Sequence, residues 1–246
     1  MAVNRKRKVG IVAVTALLLA LLQGCMYPKE LRKENQQSAR ESVLLVQSAV
    51  NEYLKDTGLL PIQNSEEDVP RYEKFRVDFE ALKHSGKLSA TPSSAFEAGG
   101  AGSYLIIDEE TEPKVCIMDL AVAQYVNDVA RAVASYTRKQ GRLPSKEEAY
   151  PGFYRIDEAA VGLKASNVRN PFSGEPLALM MDEQGRVYAD YAMELMQVIE
   201  AWDSPPAEDK ADLRPLLTES SCYVPVKSVP YLWNEGAPCP QAEPAS

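Results

Sequence analysis

The sequence predicts an α+β fold in which one unit, made of a helix, a short helix and a β-hairpin, occurs twice. Residues 46–61 align with residues 129–144 at a constant offset of 83. In both segments apolar residues recur at helical spacing, and both end in Gly-x-Leu-Pro, which predicts a helix stopped by a glycine cap. Residues 103–119 and 176–190 each have the pattern of a strand, an acidic turn and a second strand ending in Asp, as in a β-hairpin.

Seven identical pairs support the alignment of the two helices. They are Val46/Val129, Ala49/Ala132, Val50/Val133, Tyr53/Tyr136, Gly58/Gly141, Leu60/Leu143 and Pro61/Pro144. Between helix and hairpin, residues 76–78 (Arg-Val-Asp) match residues 155–157 (Arg-Ile-Asp), and each Asp has the position of an N-cap before a short helix. We therefore place the first α+β repeat at residues 39–119 and the second at residues 120–203. Since one such unit has little core of its own, the two are expected to pack together.

The first 24 residues have the organisation of a signal peptide. A basic start is followed by an apolar run over residues 9–22, which is shorter than the roughly 20 residues that a membrane-spanning helix needs. Leu22, Gly24 and Cys25 resemble the lipobox of bacterial lipoproteins. The resemblance implies cleavage between Gly24 and Cys25 and a diacylglyceryl group on the Cys25 thiol, which would anchor the mature chain to a membrane. An ordinary secretory signal, with Cys25 there by chance, is the alternative.

Residues 25–38 are polar and predict a tether between the lipid and the fold. The leader carries four of the 27 basic residues and none of the 35 acidic ones, so the mature chain has a net charge of −12. A negative surface repels phosphate backbones, which argues against a nucleic-acid partner. It also gives no attraction to anionic lipid, so membrane attachment would depend on the acyl chains.

Residues 204–246 form a Pro-rich C-terminal extension. Because Pro donates no backbone hydrogen bond, the extension is expected to lie over the body rather than form a central strand, with Tyr231 and Trp233 among its anchors. Cys222 and Cys239 both belong to it and are candidates for a disulfide, which a compartment outside the membrane permits. Free thiols are the alternative. Cys116 lies in an apolar run and is expected to be a small buried core residue.

The sequence contains no recognisable catalytic, cofactor-binding or metal-binding constellation. His84 is the only histidine, and no Ser or Cys nucleophile motif accompanies it. No Cys-x-x-Cys or Cys/His cluster supports a zinc site. The acidic groups around Asp108 and Asp182 fall in predicted turns, where solvated charge explains them, and Ser145 and Glu148 have the spacing of a capping box. We therefore predict a protein without enzymatic activity, cofactor or metal.

The chain as a whole resembles an uncharacterised lipoprotein family of Bacillus-type bacteria. The resemblance rests on Cys-Met-Tyr-Pro at residues 25–28, on the two Gly-x-Leu-Pro helix ends, on Val-Tyr-x-Asp-Tyr at residues 187–191 and on Leu-Leu-Thr-Glu-x-Ser at residues 216–221. Some members of that family are labelled as periplasmic-binding components of ABC transporters. The resemblance therefore implies a lipoprotein and raises transport as one role for it.

Together these features predict a lipid-anchored protein on the extracytoplasmic face of the cell membrane. We expect it to act as a non-enzymatic binding or interaction module with a membrane or envelope protein as its partner. The alternative is a solute-binding lipoprotein component of an ABC transporter, favoured by the lipid anchor and by two similar halves that could form a cleft. Such receptors usually have many alternating strands and helices, and only two hairpins are predicted here. The sequence does not identify a small-molecule ligand.

Overall fold

The computed structural model describes residues 29–163, 166–202 and 211–242. The helices in these ranges are α1 (Lys29–Thr57), α2 (Phe79–His84), α3 (Leu120–Gln140), α4 (Ala192–Glu200) and α5 (Arg214–Ser220). The strands are β1 (Gly102–Ile107), β2 (Lys114–Asp119), β3 (Ser145–Tyr150), β4 (Phe153–Ile156), β5 (Leu179–Asp182), β6 (Val187–Ala189), β7 (Tyr231–Asn234) and β8 (Ala237–Pro240). Two short 3-10 helices span Arg71–Glu73 and Phe96–Ala98. Helices occur beside antiparallel strands, which confirms the predicted α+β class.

The first helix is longer than the sequence pattern indicated. α1 begins at Lys29, so residues 29–38, predicted as part of a tether, are helical. A helix rises about 1.5 Å per residue, less than half the rise of an extended chain. Among the described residues, those from position 39 onward form one compact unit, and the start of α1 at residues 29–38 is assigned to a separate, smaller one. The buried stripe of α1 begins at the start of the larger unit and consists of Ala39, Val43, Val46, Ala49 and Val50.

The two long helices end in the same left-handed turn. Gly58 has a φ of 71° and Gly141 a φ of 67°. Their amides donate hydrogen bonds of 2.8 and 2.9 Å to the carbonyls of Leu54 and Thr137. A side chain at such a φ is strained, which is why both positions are glycine. The glycine stop predicted for each repeat is therefore confirmed.

The turn after each helix is closed by an equivalent backbone hydrogen bond. The Asp78 amide donates to the Pro61 carbonyl and the Asp157 amide donates to the Pro144 carbonyl, at 2.7 Å in both repeats. Each Asp side chain accepts a further bond from the amide three residues on, as an N-cap does. In the first repeat this cap opens α2. In the second repeat residues 158–162 form only a turn, so the second short helix was predicted wrongly.

The second repeat has too few residues at this point for a helix. In the first repeat the left-handed Gly86 follows its capping Asp78 by eight positions. In the second repeat the left-handed Gly162 follows Asp157 by only five. A helical turn alone takes 3.6 residues, so the cap and the glycine leave room for one turn and no more.

Both repeats pair their strands in the same antiparallel order. In the second repeat β3, β4, β5 and β6 form a four-stranded sheet in that order. In the first repeat β1 and β2 form the hairpin, and the single bridges Ile62–Val77 and Arg76–Leu105 stand where β3–β4 and β4–β5 pair in the second. Both hairpins were predicted, whereas β3 and β4 were not. The capping-box spacing at the start of β3 was misleading, because that segment is a strand.

The β1–β2 hairpin lies between two apolar clusters. One of its faces packs with α1 and α2, and the other packs with α3 and the second repeat. The first face carries Tyr104, Ile106, Val115 and Ile117, and the second carries Leu105, Ile107, Cys116 and Met118. Burial on both faces explains why Tyr104, Leu105, Ile106 and Ile107 follow one another without polar residues between them. The repeats therefore pack together through this hairpin, as expected.

The Pro-rich extension lies along the last strand of each repeat. Tyr223 forms a parallel bridge with Ile117 of β2, and the Ala189 amide of β6 donates to the Lys227 carbonyl at 2.8 Å. Several of its apolar side chains are fully buried against the body, among them Val224, Val226, Val229 and Tyr231. The extension thus covers the body, as its prolines predicted, and ends in the small β7–β8 hairpin, which was not predicted.

Candidate functional site

A groove of about 620 Å³ runs beside β1, β2 and the first turn of α3. We call it the Arg76 groove. Its volume falls within the roughly 300–1,000 Å³ that is typical of ligand pockets. The lining residues used below are Glu73, Arg76, Phe96, Glu97, Ser103, Met118 and Lys227. They come from the first repeat and the extension, and α3 supplies the remaining wall.

The loop before β1 places an aromatic ring at the groove. Phe96 lies on the second 3-10 helix and is 65% exposed. Gly100 donates a 2.8 Å hydrogen bond to the Ala95 carbonyl, and a Cβ on Gly100 would lie 2.2 Å from the carbonyl carbon of Ser94. Only glycine fits there. The glycine-rich stretch at residues 99–102 is therefore a tight turn that fixes the position of Phe96.

Arg76 differs from its counterpart in the second repeat. Arg155 forms an ion pair of 3.1 Å with Asp190, which lies directly after β6. The counterpart of Asp190 in the first repeat is Asp119, the last residue of β2, which instead caps α3 by accepting from the amides of Ala121 and Val122. Within the described residues the Arg76 guanidinium has neither an ion pair nor a hydrogen bond. The duplicated arginine is therefore ion-paired in the second repeat and unpaired in the first.

Ser103 is a buried polar residue on the groove wall. It is only 4% exposed and pairs with Met118 across the β1–β2 hairpin. In the part of the chain that the structure describes, its hydroxyl forms no hydrogen bond. Buried hydroxyls normally have partners. A groove-lining hydroxyl without one is a free donor and acceptor for a ligand.

The charged residues of the groove are partly neutralised. The Lys227 ammonium donates to a Glu73 carboxylate oxygen at 2.9 Å, and both side chains are mostly buried. Arg76 and Glu97 line the same groove, and no ion pair within 4.0 Å joins them to each other or to any other described residue. One cation and one anion therefore remain unpaired in the groove.

A second groove, of about 650 Å³, lies between α1, the β1–β2 turn and α5. Its polar groups are mostly engaged in holding these elements together. The Gln47 side chain accepts from the Val115 amide at 2.7 Å and donates to the Pro113 carbonyl at 3.0 Å. Lys114 donates to the Thr218 carbonyl. This arrangement ties the extension to the first repeat and explains the groove as a structural junction.

Asp190 is the centre of a buried polar network in the second repeat. Its carboxylate accepts hydrogen bonds from the Tyr150 hydroxyl at 3.1 Å, the Tyr231 hydroxyl at 3.2 Å and the Ala192 amide at 3.1 Å, besides the Arg155 ion pair. Burial, with the adjacent Asp190 charge, raises the pKa of both tyrosines. Every polar group in this network is satisfied internally, so it holds the extension on the body.

Two further carboxylates, Asp182 and Glu194, are buried in the second repeat. Asp182, expected to be a solvated turn residue, is 1% exposed. It accepts from the backbone amide of Arg186 at 2.9 Å and pairs with the guanidinium of the same residue at 2.6 Å. Glu194 in α4 accepts from the Ser173 hydroxyl at 2.6 Å, and burial raises its pKa. Both hold their loops in place.

The site residues named from the sequence have different outcomes. Gly24 and Cys25 lie outside the described residues. Cys222 and Cys239 are free thiols here. They lie on different elements, Cys222 buried beside β2 and Cys239 in β8 opposite Leu232, and the disulfide between them stays a prediction.

His84 ends α2 exposed, with Nδ1 2.8 Å from the Glu80 carbonyl oxygen of its own helix. Among the described residues no group of three or more His, Cys, Asp or Glu side chains could hold a metal ion. The helices in the described ranges include none that is long and apolar enough to span a membrane.

Sequence reasoning missed the groove residues Arg76, Phe96, Glu97 and Ser103. One signal was present, since the match of residues 76–78 with 155–157 marked Arg76 as a repeated position. That match does not show which arginine is ion-paired. Pairing depends on contacts between segments far apart in the chain, so only the fold reveals it.

Comparison with known proteins finds a match for only part of the chain. The model of the YphF family N-terminal domain matches residues 39–119. These are the residues predicted as the first repeat, and the match ends at Asp119, the N-cap of α3. No curated protein and no solved structure matches the chain. The matched segment includes Arg76, Phe96, Glu97 and Ser103, so much of the groove lies within the matched residues.

Proposed function

We propose that this chain is a lipid-anchored protein on the extracytoplasmic face of the cell membrane, and that its folded body is a non-enzymatic binding or interaction module. The anchor is supported by the basic start, the short apolar run and the lipobox-like end of residues 1–25. Membership of a bacterial lipoprotein family is part of the same proposal and draws on the Cys-Met-Tyr-Pro motif.

One observation carries the binding role. In the Arg76 groove an arginine, a glutamate and a buried serine hydroxyl have no described partners, whereas the buried carboxylates Asp190 and Glu194 have theirs. Polar groups that have no partner beside an apolar wall are what a ligand or partner surface uses. The proposed partner is a membrane or envelope protein, which a body anchored near the bilayer would meet.

The alternative is a solute-binding lipoprotein component of an ABC transporter. The groove volume of about 620 Å³ favours it, since that volume suits a small solute. Against it, the described sheets are short antiparallel ones, without the alternating βα units of such receptors.

Anchoring is tested by replacing the lipidated residue. Cys25→Ser should abolish labelling by radioactive palmitate and leave the protein unprocessed or in the soluble fraction. Cys239→Ser is the matched control, because that cysteine is half-buried in β8 and outside the lipobox. If the Cys25→Ser protein still takes up label and stays in membranes, the anchor proposal is wrong.

The two binding roles are separated by cross-linking in intact cells. A photoreactive residue in place of Phe96 should give a discrete adduct with a membrane or envelope protein. The same residue in place of Met193, which is equally exposed at 64% but lies outside the groove, is the control. Identical adduct patterns from the two positions would refute an interaction surface at the groove.

A further inference from the structure

We propose that the Arg76 groove binds a zwitterionic ligand with an apolar side chain, that is, a free apolar amino acid or a short apolar peptide. This inference rests on the proposed binding role and specifies its ligand. Arg76 would bind the carboxylate, Glu97 the ammonium group, and the apolar wall beside Phe96 the side chain.

The charge pattern is the first argument. Of the four ionised side chains used to describe the groove, Glu73 and Lys227 neutralise each other at 2.9 Å. Arg76 and Glu97 are left, opposite in sign and not joined to each other. A ligand with a single charge would satisfy one of them and be repelled by the other. A ligand that carries both charges satisfies both.

The buried serine is the second argument. Ser103 is more than nine-tenths buried, lines the groove, and its hydroxyl has no partner among the described residues. A hydroxyl beside a guanidinium provides a second donor for a carboxylate. The exposed Asn127 side chain on α3 also lines the groove and supplies a further amide. These donors favour a ligand with hydrogen-bonding ends.

The apolar wall is the third argument. Phe96 is 65% exposed on a loop that Gly100 holds rigidly, and Met118, Leu120 and Ala123 line the same groove. An exposed aromatic ring at a groove that also holds unpaired charges gives an apolar side chain a surface to cover. A groove volume of about 620 Å³ exceeds what one amino acid needs and also admits a short peptide.

Divergence of the two repeats is the fourth argument. In the second repeat Asp190 forms an ion pair with Arg155, the counterpart of Arg76. In the loop before β5 of the second repeat, Phe172 is half-buried and packs edge-on against Tyr191, with 5.5 Å between the ring centroids, whereas Phe96 before β1 is exposed. The second repeat therefore provides stability, and the first repeat retains the free groups.

The test is isothermal titration calorimetry on the full lipidated chain purified from membranes in detergent. The probes are leucine, phenylalanine, trileucine, and N-acetylleucine amide, which keeps the apolar side chain and lacks both charges. At least one zwitterionic probe should bind, and the blocked compound should not. If leucine binds and trileucine does not, the ligand is a free amino acid. If only trileucine binds, the ligand is a peptide. No heat with any zwitterionic probe at millimolar concentration would overturn the proposal.

Variants locate the site. Arg76→Gln and Glu97→Gln should each weaken binding about tenfold or more, the usual effect of losing a hydrogen bond to a charged group. Arg142→Gln and Glu110→Gln change exposed residues outside the groove and should leave the affinity within about twofold. Phe96→Ala should weaken the binding of leucine and phenylalanine. Equal affinities for Arg76→Gln and Arg142→Gln would place the ligand elsewhere.

The outcomes distinguish this inference from the proposed function. If no zwitterion binds while a Phe96-specific cross-link forms in cells, the ligand class is wrong and the interaction module remains. If zwitterions bind and the Phe96 cross-link is absent, the solute-binding alternative replaces the interaction module. Circular dichroism melting curves of the groove variants should match wild type, because Arg76, Phe96 and Glu97 are exposed.

Discussion

Replacing Asp190 should destabilise the fold far more than replacing its repeat counterpart Asp119. Asp119 accepts hydrogen bonds only from the two amides at the start of α3. Loss of such a cap costs about 1 kcal/mol of unfolding free energy. Asp190 accepts from Tyr150, Tyr231 and Arg155 as well as from an α4 amide.

The size of the Asp190 effect follows from these partners. Hydrogen bonds to a charged group contribute about 1.5–3 kcal/mol each, so the two hydroxyls and the guanidinium set an upper limit of about 9 kcal/mol. The Arg155 side chain is 37% exposed and water can solvate it once the partner is removed. We therefore expect Asp190→Ala to cost about 3–5 kcal/mol, the usual range for breaking a buried pair.

The assay is equilibrium unfolding in urea, followed by circular dichroism and by the fluorescence of the two tryptophans. The full chain is compared with Asp190→Ala, Asp190→Asn and Asp119→Ala. Asp190→Asn keeps the shape of the side chain and should lie between the two alanine variants. If Asp190→Ala and Asp119→Ala lose the same unfolding free energy, then Asp190 does not hold the extension on the second repeat.

Two further predictions concern buried acids and thiols. Burial raises the pKa of Glu194, so as pH rises the unfolded state loses this proton before the folded state does. The stability that the protonated side chain contributes is therefore full below the ordinary glutamate pKa and is lost as pH rises through the raised pKa. Glu194→Gln should therefore raise the midpoint of thermal unfolding at pH 7 and leave it unchanged near pH 4; an equal shift at both would contradict this. Burial raises the pKa of Cys116 to about 12 and also raises that of Cys222. A thiol reagent at pH 8 should modify Cys239 in the native protein and the other two only in urea, whereas loss of two thiols in both states would reveal a disulfide.

Local chemistry explains what the sequence predicted well. The glycine caps at Gly58 and Gly141 were predictable because a left-handed φ and a following Leu-Pro are properties of neighbouring residues. Strand β3 was not predictable in the same way, since Ser145 and Glu148 suit a helix cap equally well and only pairing with β4 makes the segment a strand. The burial of Asp182 escaped notice for a related reason, because its partner Arg186 is positioned by the β5–β6 turn.

The Arg76 groove shows most clearly what the sequence repeat does not predict. The internal repeat identified Arg76 and Arg155 as equivalent, yet their environments are opposite: one lies unpaired in a groove and the other is bound by Asp190. The Tyr231 hydroxyl completes the network around Asp190, so the extension and the second repeat stabilise each other. In the first repeat the extension instead meets the edge strand through Tyr223 and leaves Arg76 unpaired. In the binding role that we propose, the second copy therefore supplies stability and the first supplies the groups for a ligand, because a polar residue without an internal partner is available to one.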